Sequence, residues 1–142
     1  MKAKNSYYDK LITMYLRAPI NKSSNPSLHI TQGKSKLTID IKKEHFHSAH
    51  YVHGAIIFKL LDDSAYFAAQ SIEHNFFVVT SSFTTYFIRP VNNGSLTAKG
   101  NIISQTKSRI IAESVVTDNN NKLVAHGSGT FACSRSKLDD IL

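Results

Sequence analysis

The chain has 142 residues, 42% of them apolar and 19% charged, a balance that fits one globular domain and excludes a disordered segment. Seventeen Lys and Arg against ten Asp and Glu give a formal charge of +7. The basic residues are scattered, with no dense run or aromatic-interleaved stripe, which argues against a nucleic-acid partner and favours a small phosphorylated ligand. The single cysteine, Cys133, excludes an internal disulfide framework and a cysteine metal cluster, and its strand-like surroundings predict a small buried side chain.

In chain order, Tyr8, Leu11, Ile12, Tyr15 and Leu16 recur three and four apart, which predicts an amphipathic helix over about 6–17. Asp9, Lys10 and Arg17 interrupt this segment. It therefore reads as neither a signal peptide nor a membrane span, and the expected location is cytoplasmic, with no membrane partner. Pro19 and the small polar residues of 21–26 form a loop. Leu37, Ile39 and Ile41 alternate over 37–43, a strand. From His53 to Ile72 helix formers and small residues take over, apolar or small nearly all round, so this main helix should be buried. Four strand-like runs follow, at 76–88, 95–104, 109–117 and 123–133, separated by turn signals such as Asn92-Asn93-Gly94 and Asp118-Asn119-Asn120-Asn121. The last nine residues read as a polar tail. Short turns demand antiparallel neighbours. The expected fold class is α+β, a single domain over 1–142 with its core at about 28–134. A long central helix is wrapped by a curved antiparallel sheet of about five strands, with an extra N-terminal helix.

The chemistry concentrates in His53-Gly54-Ala55-Ile56-Ile57-Phe58-Lys59-Leu60-Leu61-Asp62. N–H groups at a helix start lack intrahelical partners and sit at the positive end of the dipole, so they can hold a developing oxyanion. Asp62, two turns on, shares a face with Phe58, Lys59, Tyr66 and Ala69. Burial there would raise its pKa and a nearby lysine would lower it. A plain loop-to-helix turn with an exposed Asp62 paired to Lys59 would give the same local sequence. Asp63 is a second carboxylate, about 100° round the helix. His47, His50 and His53 recur every third residue, a spacing that with Asp62 could also ligate zinc.

These residues resemble the hotdog-fold thioesterases, in particular the PaaI-like acyl-CoA thioesterases, over roughly 28–134. That family carries Asn-x-x-Gly-x-x-His-Gly-Gly followed by an acid nine residues after the histidine, which here are His53 and Asp62. Tyr86-Phe87-Ile88-Arg89-Pro90 is similar to a later landmark of the family. His47 stands at the asparagine position, His50 at the following glycine and Ala55 at the second helix-opening glycine, while Thr80 falls at a polar position.

The resemblance implies hydrolysis of an acyl- or aryl-CoA thioester to free acid and coenzyme A. Asp62 would be general base or nucleophile, the Gly54 amide would polarise the carbonyl, and His53 would open the helix beside it. Thr80 would hold the carboxylate or the water, and His47 would stand in for the asparagine. His50, Ala55 and Asp63 would adjoin the substrate. Arg89, Lys107 and Arg109 are candidates for the coenzyme phosphates. The aromatic set Tyr66, Phe67, Phe83, Tyr86 and Phe87 reads mainly as core, with one or two members lining an acyl tunnel. No metal and no organic cofactor is implied. The site would lie between the subunits of a homodimer, with a dimer of dimers common. The alternative is a non-catalytic hotdog module that binds acyl-CoA as a ligand, and a third reading is a dehydratase or hydratase.

Overall fold

The computed structural model describes residues 2–142, with side chains from Tyr7 onward. Helix α1 (Lys2–Arg17) is followed by the hairpin β1 (Ser27–Thr31) and β2 (Lys34–Asp40). After a loop comes the long helix α2 (Gly54–Gln70), and then β3 (Phe76–Phe87), β4 (Ser95–Gln105), β5 (Ile110–Asp118) and β6 (Leu123–Lys137). All pairings are antiparallel, in the order β1-β2-β4-β5-β6-β3. The sheet therefore has six strands rather than about five.

The additional strand is β1. Only Leu28 and Ile30 of its five residues face inward, too short an alternation to stand out beside the polar loop before it. Gly33, at φ 76°, closes its hairpin in the left-handed region that glycine enters freely. A second difference is topological. β3 does not neighbour β4; residues 88–94 carry the chain across the sheet, and β3 pairs with β6 at the far edge. The C-terminal segment is not a polar tail either. β6 continues to Lys137, and Leu138 is buried, its N–H donating to the Asn75 carbonyl at 2.8 Å.

The sheet curls round α2 because small residues line its concave face. Ser35, Gly100, Ser114 and Gly127 stand in one cross-strand row. A Cβ on Gly100 would overlap the Ser64 backbone carbonyl. On either side of that glycine, Ser35 donates to the Ser64 carbonyl at 2.5 Å and Ser114 to the Leu61 carbonyl at 2.7 Å. Buried backbone acceptors must be satisfied, and these hydroxyls do so while the helix axis stays close to the strands. Leu37, Leu60, Leu61, Leu96 and Val116 fill the core between them.

Helix α1 is docked through two tyrosines. The Tyr7 hydroxyl shares its one proton between the carbonyls of Gln70, the last residue of α2, and Glu73 just beyond it, at 2.7 and 2.5 Å, and Tyr15 reaches Asp63 further up the helix. Gln70 is fully buried yet satisfied: it donates to the Glu73 and Phe76 carbonyls and accepts from Val78 N–H and Tyr66, which fixes the start of β3 against α2. Among the described residues no helix is long and apolar enough to cross a membrane.

Candidate active site

The loop before α2 is organised by histidines. His45 is buried, and its Nδ1 accepts the Lys42 N–H at 3.0 Å; burial lowers its pKa. His50 takes φ 66°, the left-handed conformation that a glycine at this position would adopt without strain. The His47 Nδ1 accepts from Ala49 N–H at 3.0 Å, and the His53 Nδ1 caps α2 by accepting from Ala55 N–H at 2.8 Å. Neutral rings bound this way carry their proton on Nε2, so each presents an N–H outward. The two rings lie 6.3 Å apart between centroids. Among the described residues no three His, Cys, Asp or Glu side chains converge to hold a metal ion.

The capping contact leaves a single free donor. Ala55 N–H is taken by His53, and Ile56 N–H returns to the His53 carbonyl. Among the described residues, the Gly54 N–H has no protein acceptor. Phe87 lies over Gly54, whose added Cβ would come within 3.3 Å of the ring.

Asp62 is half-buried on the outer face of α2, and the Thr80 hydroxyl donates to its Oδ1 at 2.8 Å across the gap to β3. Burial pushes the Asp62 pKa up; the Thr80 hydrogen bond and Lys59 oppose this, while the neighbouring Asp63 adds to it. Lys59 does not pair with Asp62. Its ammonium is engaged by Asp63 Oδ2 at 2.6 Å, Asn21 Oδ1 at 2.6 Å and Tyr15 OH at 3.0 Å, and Tyr15 OH itself donates to Asp63 at 2.6 Å. Asp63 is thus bound up in a network that ties α1 to α2, while among the described residues the second Asp62 oxygen has no protein partner. A cleft of ≈ 690 Å³ runs past Ala55, Phe58, Lys59 and Asp62.

The remaining expected residues are dispersed in one protomer. Arg89 follows β3, beyond Phe87, whereas Lys107 and Arg109 sit in the β4–β5 turn. Thr80 aligns through Phe131 with Ile110, at that turn. Nine residues of roughly 3.3 Å rise separate Thr80 from Arg89. Of the aromatic set, Phe67 is core and Phe83 is half-buried, packed edge-on to Phe58 over the glycines of β6, while Tyr86 and Phe87 are exposed. Cys133 is exposed, not buried, because β6 there has run past the end of α2; its Sγ lies 3.5 Å from a Glu73 carboxylate oxygen. The residues that spacing alone does not single out are Tyr15 and Asn21, whose partners lie far along the chain. Tyr15 shows only as one of the apolar positions of the α1 pattern.

The family model described as the thioesterase superfamily matches residues 49–125, from the loop before α2 into β6. The chain belongs to the thioesterase superfamily, a family of hydrolases. An esterase-named protein of Sulfurisphaera tokodaii is 29% identical, over 72% of this chain and 76% of that protein. Another from Saccharolobus solfataricus is 23% identical, over 75% of this chain and 71% of its own. The E. coli PaaI protein, from the phenylacetic acid degradation operon, superposes with a TM-score of 0.85 at 20% identity, over 94% of this chain and 97% of that one. A variant of the phenylacetic acid degradation protein PaaI of Thermus thermophilus gives 0.75 at 18% identity, over 82% and 100%. These structures establish the hotdog fold.

Proposed function

We propose that the protein hydrolyses an acyl-CoA thioester to the free acid and coenzyme A, with Asp62 as the working carboxylate. The observation that carries this reading is the contrast between the two adjacent acids. Asp63 takes up the local cation, while Asp62 is half-buried, raised in pKa and, among the described residues, held by Thr80. Asp62 accepts a proton from water as that water attacks the thioester carbon, or attacks the carbon itself. The carbonyl electrons move to oxygen, which the Gly54 N–H holds, and collapse expels the coenzyme thiolate, which leaves as the thiol. His47, at the asparagine position and 6.3 Å from the His53 ring between centroids, orients the attacking water. The reaction so written draws on no metal or organic cofactor.

Gly54 and Asp62 cannot serve one carbonyl within one protomer. Eight residues of helix separate them by about 12 Å, more than one thioester carbon and its attacking water can bridge. A homodimer supplies the missing half. β3 is a 12-residue edge strand with Phe76, Val79, Tyr86 and Phe87 exposed, a surface that calls for a partner. It runs from the end of α2 at Phe76 to Phe87 over Gly54. Two such edges paired antiparallel about a two-fold axis bring the partner's Gly54 to Asp62 and Thr80. The partner's Arg89 then approaches the end that carries Lys107 and Arg109, where these residues meet the coenzyme phosphates.

The test is thiol release from acyl-CoAs of several lengths by wild type and Asp62→Asn. Turnover is expected in the wild type and a loss of about 10²–10⁴ in the variant, the usual worth of a positioned base. Tight acyl-CoA binding with no turnover in the wild type would make the protein the non-catalytic ligand-binding module.

A further inference from the structure

We propose that an apolar recess between α1, the second half of α2 and the C-terminal segment is the acyl-group pocket. It limits the substrate to a medium-length acyl group of about ten non-hydrogen atoms, at about 30 Å³ for each water-sized group. This rests on the thioesterase reading and names its substrate class.

The recess measures ≈ 310 Å³, and its wall includes Met14 and Ala18, Tyr66, Phe77 and Ile141. Among the described residues, its charged lining groups are Asp62 and Asp63. Asp63 is neutralised by Lys59 and hydrogen-bonded by Tyr15, so among the described residues Asp62 is the carboxylate left available beside an otherwise apolar space. The phenol groups add no unmet polarity: Tyr66 donates to Gln70 at 2.9 Å and Tyr15 to Asp63. A ligand suited to this space has an apolar body ending in an electrophilic carbon within reach of Asp62, which is the shape of an acyl thioester. Its volume lies near the lower end of the roughly 300–1,000 Å³ of small-molecule sites. A chain of sixteen carbons exceeds this volume, so part of it would lie outside the recess.

Those walls are held. The Arg17 guanidinium donates to the Ile141 carbonyl, and Leu138, buried, anchors the turn that leads to it. Ala18 and Met14 on the α1 side and Ile141 on the other are therefore the chain-length determinants, although none belongs to the segment that carries the catalytic pattern.

The experiment is a kcat/KM profile over four-, eight- and sixteen-carbon acyl-CoAs for wild type, Ala18→Phe and Met14→Ala. Ratios between substrates are read because they do not depend on how much of a variant folds. The wild type should favour eight carbons over sixteen by at least about tenfold. Ala18→Phe should lower the eight-to-four ratio about tenfold, and Met14→Ala should raise the sixteen-to-eight ratio. A wild-type profile flat to sixteen carbons, or ratios unmoved in both variants, overturns the pocket. The same ratios are measured as affinities for non-hydrolysable thioether analogues of these substrates. A protein that turns nothing over but binds the eight-carbon analogue best, with that preference lost in Ala18→Phe, keeps the pocket and refutes the hydrolase.

Discussion

At Asp62 burial favours the protonated carboxyl, while the Thr80 hydroxyl and the Lys59 charge favour the ionised one. Burial is the largest influence, so the acid limb of the kcat/KM profile should lie above the ordinary carboxylate range. Thr80→Val removes a hydrogen bond to the ionised form and should move that limb to higher pH, with the greatest loss of rate on the acid side; an unmoved limb would mean that Thr80 does not touch the working carboxylate. Stability obeys the same linkage. Between the unfolded and the raised folded pKa of Asp62 the native state binds more protons, so stability falls as pH rises through that window. Asp62→Asn should therefore melt higher than wild type at neutral pH, with the difference vanishing at a pH below the unfolded value, as thermal melts across pH would show. The resemblance to the hotdog thioesterases is what made the Asp62 and Thr80 positions legible, since an acid on a helix or a threonine in a strand is unremarkable by itself. Spacing could not pair Lys59 with Asp63, since at i, i+4 and i, i+3 both acids are within reach, and the choice is made by Tyr15 and Asn21, which lie 48 and 38 residues from their partners. Cys133 misled because strand periodicity says which side of the sheet a residue takes, not whether a helix covers it there.

Among elements, the closeness of α2 to the sheet is what sets Asp62 opposite Thr80. Gly100 sits where that approach is tightest, and its neighbour in contact is the Ser64 backbone, which cannot swing away as a side chain would. Gly100→Ala should cost about 3 kcal/mol, the upper part of the range for overpacking, and a chemical-denaturation midpoint close to wild type would contradict the packing described here. The helices and the four later strands were readable because each carries a sustained period or a turn signal at its ends. β1 has two inward residues and no more, and the end of β6 has polar residues on both faces, so neither offers a period to read. The crossing from β3 to β4 was hidden for a different reason: a seven-residue connection permits a neighbouring strand without requiring one. The segment 88–94 carries the chain to the interior of the sheet and leaves β3, with Phe87 over Gly54, at the open edge.

For the whole molecule, the site proposed here is complete only in a dimer, because one helix holds its two halves about 12 Å apart. Gly54→Pro tests one half without unfolding the helix, provided that the exposed Phe87 ring gives way by a few tenths of an ångström to the added Cβ. Proline is favoured at the first helical position, and His53, at φ −61° and ψ 140°, already has the conformation that a following proline requires. The substitution deletes the N–H and should cost about 10²–10³ in kcat. The most direct measurement co-expresses Asp62→Asn and Gly54→Pro chains under two different affinity tags and isolates the mixed dimer. Each homodimer lacks one half of both sites. If the halves come from different subunits, the mixed dimer holds one intact site of two and should recover about half the wild-type activity per dimer. A mixed dimer as inactive as its parents would contradict a site shared between subunits.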